Sequence, residues 1–507
     1  QLTFDAPIDP ESLGYLEVDL VEEGVSNVVG WLSVDGAVVT FEPIRPLVLD
    51  HAYTLEVAVL VKDSGWISLG GSAFRTRDGA WSAPAPIVDA GASAPELAIG
   101  EDGGALVLWQ ASTDRGARLH GAYLESSAGA WQTFAPTASG GPSAYPTNVV
   151  AGDDGLFVLT WVDGPATQGA LYRAGDSDLL DRYSRLGPQR LRADATSALW
   201  AGGRALVATN YADTWLDVYH TEGNRFWPGA KSIALSDNGR RFAGPLLIGD
   251  GGLSARALWM QWAGAGGASM PLEVWGATLA YSGDWSEPEA LATLDASGGI
   301  EGARAVGSAS GVSLVAWENV DATSSEPGSR LGLLVLDADD GANASRPDAI
   351  DALGDARSPA VAVSAIGDAL VTWVATDASA DEADAASAAW AAYLPAGESE
   401  WSAAMPLSAA DARARPPALA VETYGEGHAL WVELDATGAT RLMAAHFAPD
   451  AGFSSPRDIA ASSPGAAPAA GSLSANGEGP RVAVDGQGRA LAVWVSATGG
   501  LWSSRYE

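Results

Sequence analysis

One short pattern, returning along most of the chain, restricts the fold more than any other feature of the sequence. Pro leads into an apolar-Ala-apolar stretch, then a Gly-containing turn, then Ala-Leu-apolar-apolar-Trp. It runs from Pro95 to Trp109, Pro146 to Trp161, Pro245 to Trp259, Pro359 to Trp373, Pro417 to Trp431 and Pro480 to Trp494. Five of these six intervals are 14 residues and the one from Pro146 is 15, a regularity that chance does not produce. A seventh copy, Ala303 to Trp317, has Ala in place of Pro, and a degenerate eighth, Ser197 to Asn210, has Asn near the Trp position.

The Trp-equivalent positions lie 49 to 63 residues apart. A period near 50 built of hairpin-type strands is the mark of propeller blades. Residues 79–507 divided among eight copies leave about 54 residues each, enough for four strands and their turns. Ala105-Leu106-Val107-Leu108-Trp109, Ala369-Leu370-Val371-Thr372-Trp373 and Ala490-Leu491-Ala492-Val493-Trp494 are largely apolar on both faces, as a strand sandwiched between neighbouring blades must be. The Trp ring is expected to fill the gap that widens as the sheets splay outward. An aromatic ladder for stacking sugars or bases would instead need exposed rings.

A second element, Trp-Ser-x-Pro or a relative of it, occurs as Trp81-Ser82-Ala83-Pro84, Trp285-Ser286-Glu287-Pro288, Trp401-Ser402-Ala403-Ala404 and Phe453-Ser454-Ser455-Pro456. Each falls where the outermost strand of a blade should begin, and Pro fits an edge strand that can lack one donor. The copy at 81 has no blade ahead of it, and residues 480–507 have room for only three strands. The expectation is ring closure, with residues 79–92 completing the last blade and so removing the open edge.

The first 78 residues read differently. Period-two runs recur from Tyr15 to Val21, Asn27 to Val34, Ala37 to Phe41, Tyr53 to Val61 and Ala73 to Thr76, broken by Asp35-Gly36, Pro43 and Pro46. They describe an antiparallel sandwich. The stretches Leu2 to Ile8, Val38 to Pro43, Tyr53 to Val57 and Phe74 to Thr76 resemble the bacterial Ig-like domains of surface-layer and adhesin-type proteins. That resemblance implies a further strand ahead of Leu2, either trimmed from the numbered chain or supplied by a neighbouring molecule. The abrupt, strand-like starts and ends at Gln1 and Glu507 favour trimming, with an export signal upstream. The expected fold is therefore all-β: an Ig-like sandwich over 1–78 and a propeller of about eight four-stranded blades over 79–507.

Charge and composition narrow the partners. The chain carries 63 Asp and Glu against 28 Lys and Arg, a formal net charge of -35, so nucleic acid and anionic membrane surfaces are disfavoured. Cysteine is absent, which excludes disulfides, thiolate metal sites, Fe–S clusters and a cysteine nucleophile. No apolar run approaches the roughly 20 residues of a membrane helix. The domain types imply an extracellular or cell-surface location.

Motifs that would carry chemistry are sparse. The blades and Trp-Ser-x-Pro edges resemble those of sialidase-type propellers, although the aspartate box of that family is nowhere intact and Ser282-Gly283-Asp284-Trp285 is a worn echo of it. The five histidines, His51, His120, His220, His428 and His446, are spread along the chain without metal-ligand spacing. Asp337-Ala338-Asp339-Asp340-Gly341-Ala342-Asn343 has oxygen ligands around a Gly, and Asp337, Asp339 and Asn343 are candidate calcium ligands. Its register departs from the EF-hand and no Glu closes it, so a solvated turn is the competing reading. The acidic loop from Asp377 to Ser387 reads as a projecting excursion. No catalytic or cofactor-binding residue is assigned, and calcium is the one cofactor considered. The leading expectation is a surface structural or interaction protein, the propeller serving as a rigid platform for a protein partner or for self-assembly. The alternative is a carbohydrate-binding or carbohydrate-active propeller with its site in the central depression.

Overall fold

The computed structural model describes residues 2–3, 16–22, 28, 30–43, 47, 52–61 and 65–76. From residue 79 onward it describes all but 114–115, 127–128, 137–143, 164–165, 177–178, 180–183, 187–194, 202, 212–214, 223–224, 227–230, 235–239, 250–254, 264–271, 280–283, 295–298, 309, 321–328, 338–340, 344–354, 377–386, 410–411, 436, 450 and 471–478. The chain is all-β, with many mostly small and almost wholly antiparallel sheets and no α-helix among the described residues. It divides into two compact units, Gln1–Trp81 with Gly486–Arg489 and Tyr506–Glu507, and Ser82–Asp485 with Ala490–Arg505.

The first unit holds two three-stranded sheets. One orders Leu2–Thr3, Val38–Pro43 and Gly30–Asp35, and the other Leu16–Glu22, Ala52–Val61 and Gly65–Arg75. Asp35 pairs with Val38 across a two-residue turn at Gly36, whose φ of 61° suits a residue without Cβ. Val39 from the first sheet and Val18, Leu20, Tyr53 and Val57 from the second are buried.

In the second unit five sheets have four strands, one has five, and Asp355 to Asp458 form one ten-stranded sheet joined by a parallel contact of Ser387 with Arg413; eight series of strands each hold an inner strand. These inner strands are Ala92–Ile99, Tyr145–Ala151, Ala195–Ala201, Arg240–Gly249, Gly299–Gly307, Asp355–Val363, Ala418–Val421 and Arg481–Val484. Each lies beside the next in chain order, and Arg481–Val484 lies beside Ala92–Ile99, giving a closed, propeller-like arrangement. Ala85–Val88 pairs antiparallel with Leu501–Tyr506 as the outer strand of the final sheet.

The Pro-to-Trp interval is explained by the hairpin it forms. Pro146 pairs directly with Trp161, and in the other copies Trp lies opposite the point where the inner strand slips register or begins. Slips occur between Ser93 and Glu96, Pro146 and Asn148, Ala243 and Leu246, Glu301 and Arg304, and Arg357 and Ala360. Pro supplies no N–H for a ladder bond, and a bulge is where that loss is tolerated. In the degenerate copy the ladder from Ala195↔Asn210 to Ala201↔Arg204 runs without a slip, in keeping with its shorter interval.

Burial is layered between sheets instead of gathered at one centre. Ala105, Val107 and Trp109 pack with Leu491, Val493 and Leu501 of the final sheet, while Leu106 and Leu108 of the same strand pack with Phe157, Leu159 and Trp161 of the next. The strand therefore serves two cores by simple alternation, which is why its sequence is apolar throughout. All seven repeat tryptophans are buried. At about 1.5–3 kcal/mol for each large side chain taken from water, these layers supply the main stabilising term.

The Ser of the second element has its own role. In Trp-Ser-x-Pro and its relatives the Ser N–H donates to a third-strand carbonyl, and the Ser Oγ accepts the N–H of that same residue. The pairs are Ser286 with Thr278, Ser402 with Tyr393, Ser454 with His446 and Ser82 with Arg505, with N···O distances of 2.7–2.8 Å and N···Oγ distances of 3.0 Å. A side-chain oxygen thus starts the outer strand's pairing before its backbone can continue it.

Candidate functional site

The inner strands of the second unit surround a cavity of about 580 Å³. Its wall follows from the hairpin register. The residue just past each slip or strand start, paired with the one preceding Trp, lines the cavity: Glu96, Asn148, Leu246, Arg304, Ala360, Ala418 and Arg481. Ser197 and Ala198 line it from the copy that lacks the slip. Ser358, with φ of 52°, and Arg415, just ahead of Pro416-Pro417, complete the polar part.

Among the described residues of this wall there are three guanidiniums and one carboxylate. In a chain whose acidic groups outnumber its basic ones by more than two to one, that is an inversion. Arg481 Nη2 donates to Glu96 Oε1 at 3.0 Å, joining the last inner strand to the first. Burial alone would weaken the charge on Arg481, but the Glu96 carboxylate, through its charge and this hydrogen bond, more than reverses that and holds the guanidinium above its ordinary value. Arg304 Nη1 donates to its neighbour's Ala303 carbonyl at 3.0 Å, and Arg415 Nε to the Ala470 carbonyl at 3.2 Å. Desolvation and then the nearby Arg481 lower Arg304, with Glu96 and Glu318 opposing; desolvation and then Arg413 lower Arg415. All three remain cationic near neutrality, because arginine titrates far above it. Glu318 is committed elsewhere, its Oε1 accepting the Ser358 N–H at 2.5 Å.

Such a wall can do one thing well. Guanidiniums with free donors, in a concave and partly desolvated space, bind oxyanions by charge-assisted and often bidentate hydrogen bonds. Asn148, Thr147, Ser197 and Ser358 add neutral polar groups suited to hydroxyls.

The residues singled out from sequence lie elsewhere. Asp337 ends the strand Ser329–Asp337 and pairs with Gly341, and Asn343 pairs with Val335 across the same hairpin, while Asp339 lies outside the described residues. The loop 377–386 lies outside them too. The histidines are not all apart: antiparallel pairing sets His428 opposite His446, with rings 4.9 Å apart and His446 Nε2 3.6 Å from Glu426 Oε2. His120 instead stacks on Trp109. No group of three or more metal-binding side chains is found among the described residues. The cavity arginines escaped the sequence reading, although the position after the repeat's Pro carried a signal: Glu96, Arg304 and Arg481 are charges at one repeat position in largely apolar strands.

No family model matches the chain, and no curated protein matches it by sequence. Solved structures resemble it at low identity. A protein of unknown function from Dyadobacter fermentans shares 13% identity at a TM-score of 0.37, covering 85% of this chain and 99% of its own. The polysaccharide lyase Uly1 shares 8% at 0.44, covering 71% and 90%. A leech intramolecular trans-sialidase in complex with 2,7-anhydro-Neu5Ac shares 9% at 0.35, covering 82% and 84%.

Proposed function

We propose that this chain is an exported saccharide-binding protein in which an Ig-like sandwich over 1–78 carries an eight-bladed propeller over 79–507, and that the central cavity takes a saccharide bearing an oxyanion. The observation that carries this reading is the convergence of Arg304, Arg415 and Arg481 on one cavity of an otherwise strongly acidic protein. Binding is preferred to turnover because the described wall offers a single carboxylate, engaged by Arg481, where the common hydrolytic scheme uses two. The order of inner strands and their return from Arg481–Val484 to Ala92–Ile99 supports the blade count. Titration calorimetry with uronate-bearing, sulfated and neutral oligosaccharides tests the proposal. Acidic saccharides should bind and neutral ones should not, and Arg304→Ala with Arg415→Ala should weaken binding by about tenfold or more. Indifference to charge, or to both substitutions, would refute it.

A second reading, an assembly role for the first unit, has one observation in its favour. Among the described residues the strand Gly65–Arg75 is paired on one side only, and Trp66, Ile67, Leu69 and Phe74 on it are exposed. Light scattering that finds only monomer at high protein concentration would count against it.

A further inference from the structure

Among the described residues of the cavity wall Glu96 is the one carboxylate beside three guanidiniums, and it stands where the anion of a ligand would stand. It meets Arg481 at 3.0 Å from the adjacent inner strand, and both side chains keep about a quarter of their surface open, 27% for Glu96 and 26% for Arg481. The pair is thus open to exchange: a solute that enters the cavity reaches both partners. Arg304, facing them from Gly299–Gly307, feels both, since Arg481 works against its charge and Glu96 supports it. With Glu96 in place the described wall keeps a net charge of two positives from three arginines and one glutamate.

Resting on the anionic-saccharide reading above, we propose that Glu96 is an internal counter-ion that an incoming oxyanion must displace from Arg481, so that its charge weakens the binding of every anionic ligand in the cavity. Exchange of one carboxylate for another on the same guanidinium gains little, and the displaced Glu96 stays inside the cavity, where it repels the newcomer. A monoanion therefore gains its charge-assisted bonds from Arg304 and Arg415 while Glu96 opposes it. A dianion can match the two uncompensated charges, on Arg304 and Arg415, but feels the Glu96 charge at both of its anionic groups. The strength of anion binding is thus set by the repulsive element as much as by the attractive ones.

The test compares Glu96→Gln with the unaltered protein by calorimetric titration of two oligosaccharides of equal length, one with a single uronate and one with two. Gln keeps an acceptor oxygen for Arg481, so the inner-strand contact survives, and circular dichroism with thermal melting checks that the fold is unchanged. Glu398→Gln removes the same formal charge from an exposed turn and controls for the change in net charge. Glu96→Gln should bind the mono-uronate about tenfold more tightly, with at least as large a gain for the di-uronate, and Glu398→Gln should leave both within about twofold. Equal or weaker mono-uronate binding by Glu96→Gln would overturn the counter-ion role while leaving the cavity as an anion site. Failure of both proteins to bind either probe would overturn the anion-site reading, and the counter-ion role with it.

Discussion

Ser82 holds Arg505 by two hydrogen bonds, its N–H donating to the Arg505 carbonyl at 2.7 Å and its Oγ accepting the Arg505 N–H at 3.0 Å. Ser504 Oγ adds a bond to the Ser82 carbonyl at 2.7 Å. The same clasp joins Ser286 to Thr278, Ser402 to Tyr393 and Ser454 to His446 within single stretches of chain. Only at Ser82 does it link the two ends of the second unit.

The clasp predicts two different outcomes from two kinds of change. Ser82→Ala removes one acceptor from a solvent-near N–H and should cost about 1 kcal/mol, the same as Ser402→Ala. Deleting Leu501–Tyr506 removes the partner of Ala85–Val88 and uncovers the core face of Ala105, Val107 and Trp109. That deletion should abolish a single cooperative transition in urea. A truncated protein that unfolds in one transition near the original midpoint would show that closure of the ring is dispensable.

The buried tryptophans separate packing from hydrogen bonding. Trp494 Nε1 donates to the Ala466 carbonyl at 2.6 Å, whereas Trp373 Nε1 has no partner among the described residues. Both rings are buried to about the same degree. Phe at either position loses similar ring volume, but only at 494 does it also strand a buried carbonyl. Trp494→Phe should therefore be the costlier by about 1 kcal/mol, measured by urea denaturation. Equal losses would mean that the Ala466 bond contributes nothing net.

How much of this was legible in the sequence depends on which residues are asked. The 14-residue interval marks a hairpin whose Trp lies opposite the slip that holds Pro, so the hairpins and their sandwiched second strands can be read directly from Pro95 to Trp109 and its copies. Alternation even forecasts that Leu106 and Val107 serve different cores. The cavity wall was half legible, because Glu96, Arg304 and Arg481 share one register position after the slip. That they face a common space was not, since Glu96 and Arg481 are 385 residues apart and meet only when the ring closes. Arg415 lies off the shared position, and no periodicity could have found it. The meeting of His428 and His446 was hidden for a simpler reason: residues 18 apart become cross-strand partners only once the turn between them is known.

Two tyrosines make stability depend on alkaline pH. Burial, then Asp102 and Glu125, push Tyr123 up to about 12, and burial, then Tyr123 and Asp176, do the same for Tyr172. Because the folded protein holds these phenols neutral while the unfolded chain releases their protons from its ordinary value of 10.0, their contribution is fully present below pH 10 and is lost as pH rises toward about 12. Tyr123→Phe lacks one of these protons. Its stability in urea, relative to the unaltered protein, should therefore improve steadily across that window. A pH-independent difference between the two, together with tyrosinate absorbance that develops fully near pH 10, would contradict the burial assigned to Tyr123.

Gly332 sits directly opposite Trp317 in the ladder, and a Cβ at that position would run into the indole ring. Trp317 is itself buried in a layer with Leu258 and Val274 of the preceding sheet and Leu334 of its own, so the ring cannot move aside without opening that layer. Gly332→Ala would ordinarily favour a strand by restricting the unfolded chain, a gain of about 0.4–1 kcal/mol. Here overpacking should outweigh it, for a net loss of about 1–3 kcal/mol. The double change Gly332→Ala with Trp317→Phe should recover part of that loss, since the smaller ring makes room for the methyl group. Denaturation of the two single variants and the double variant measures the coupling. Strict additivity would show that the indole does not occupy the space above Gly332.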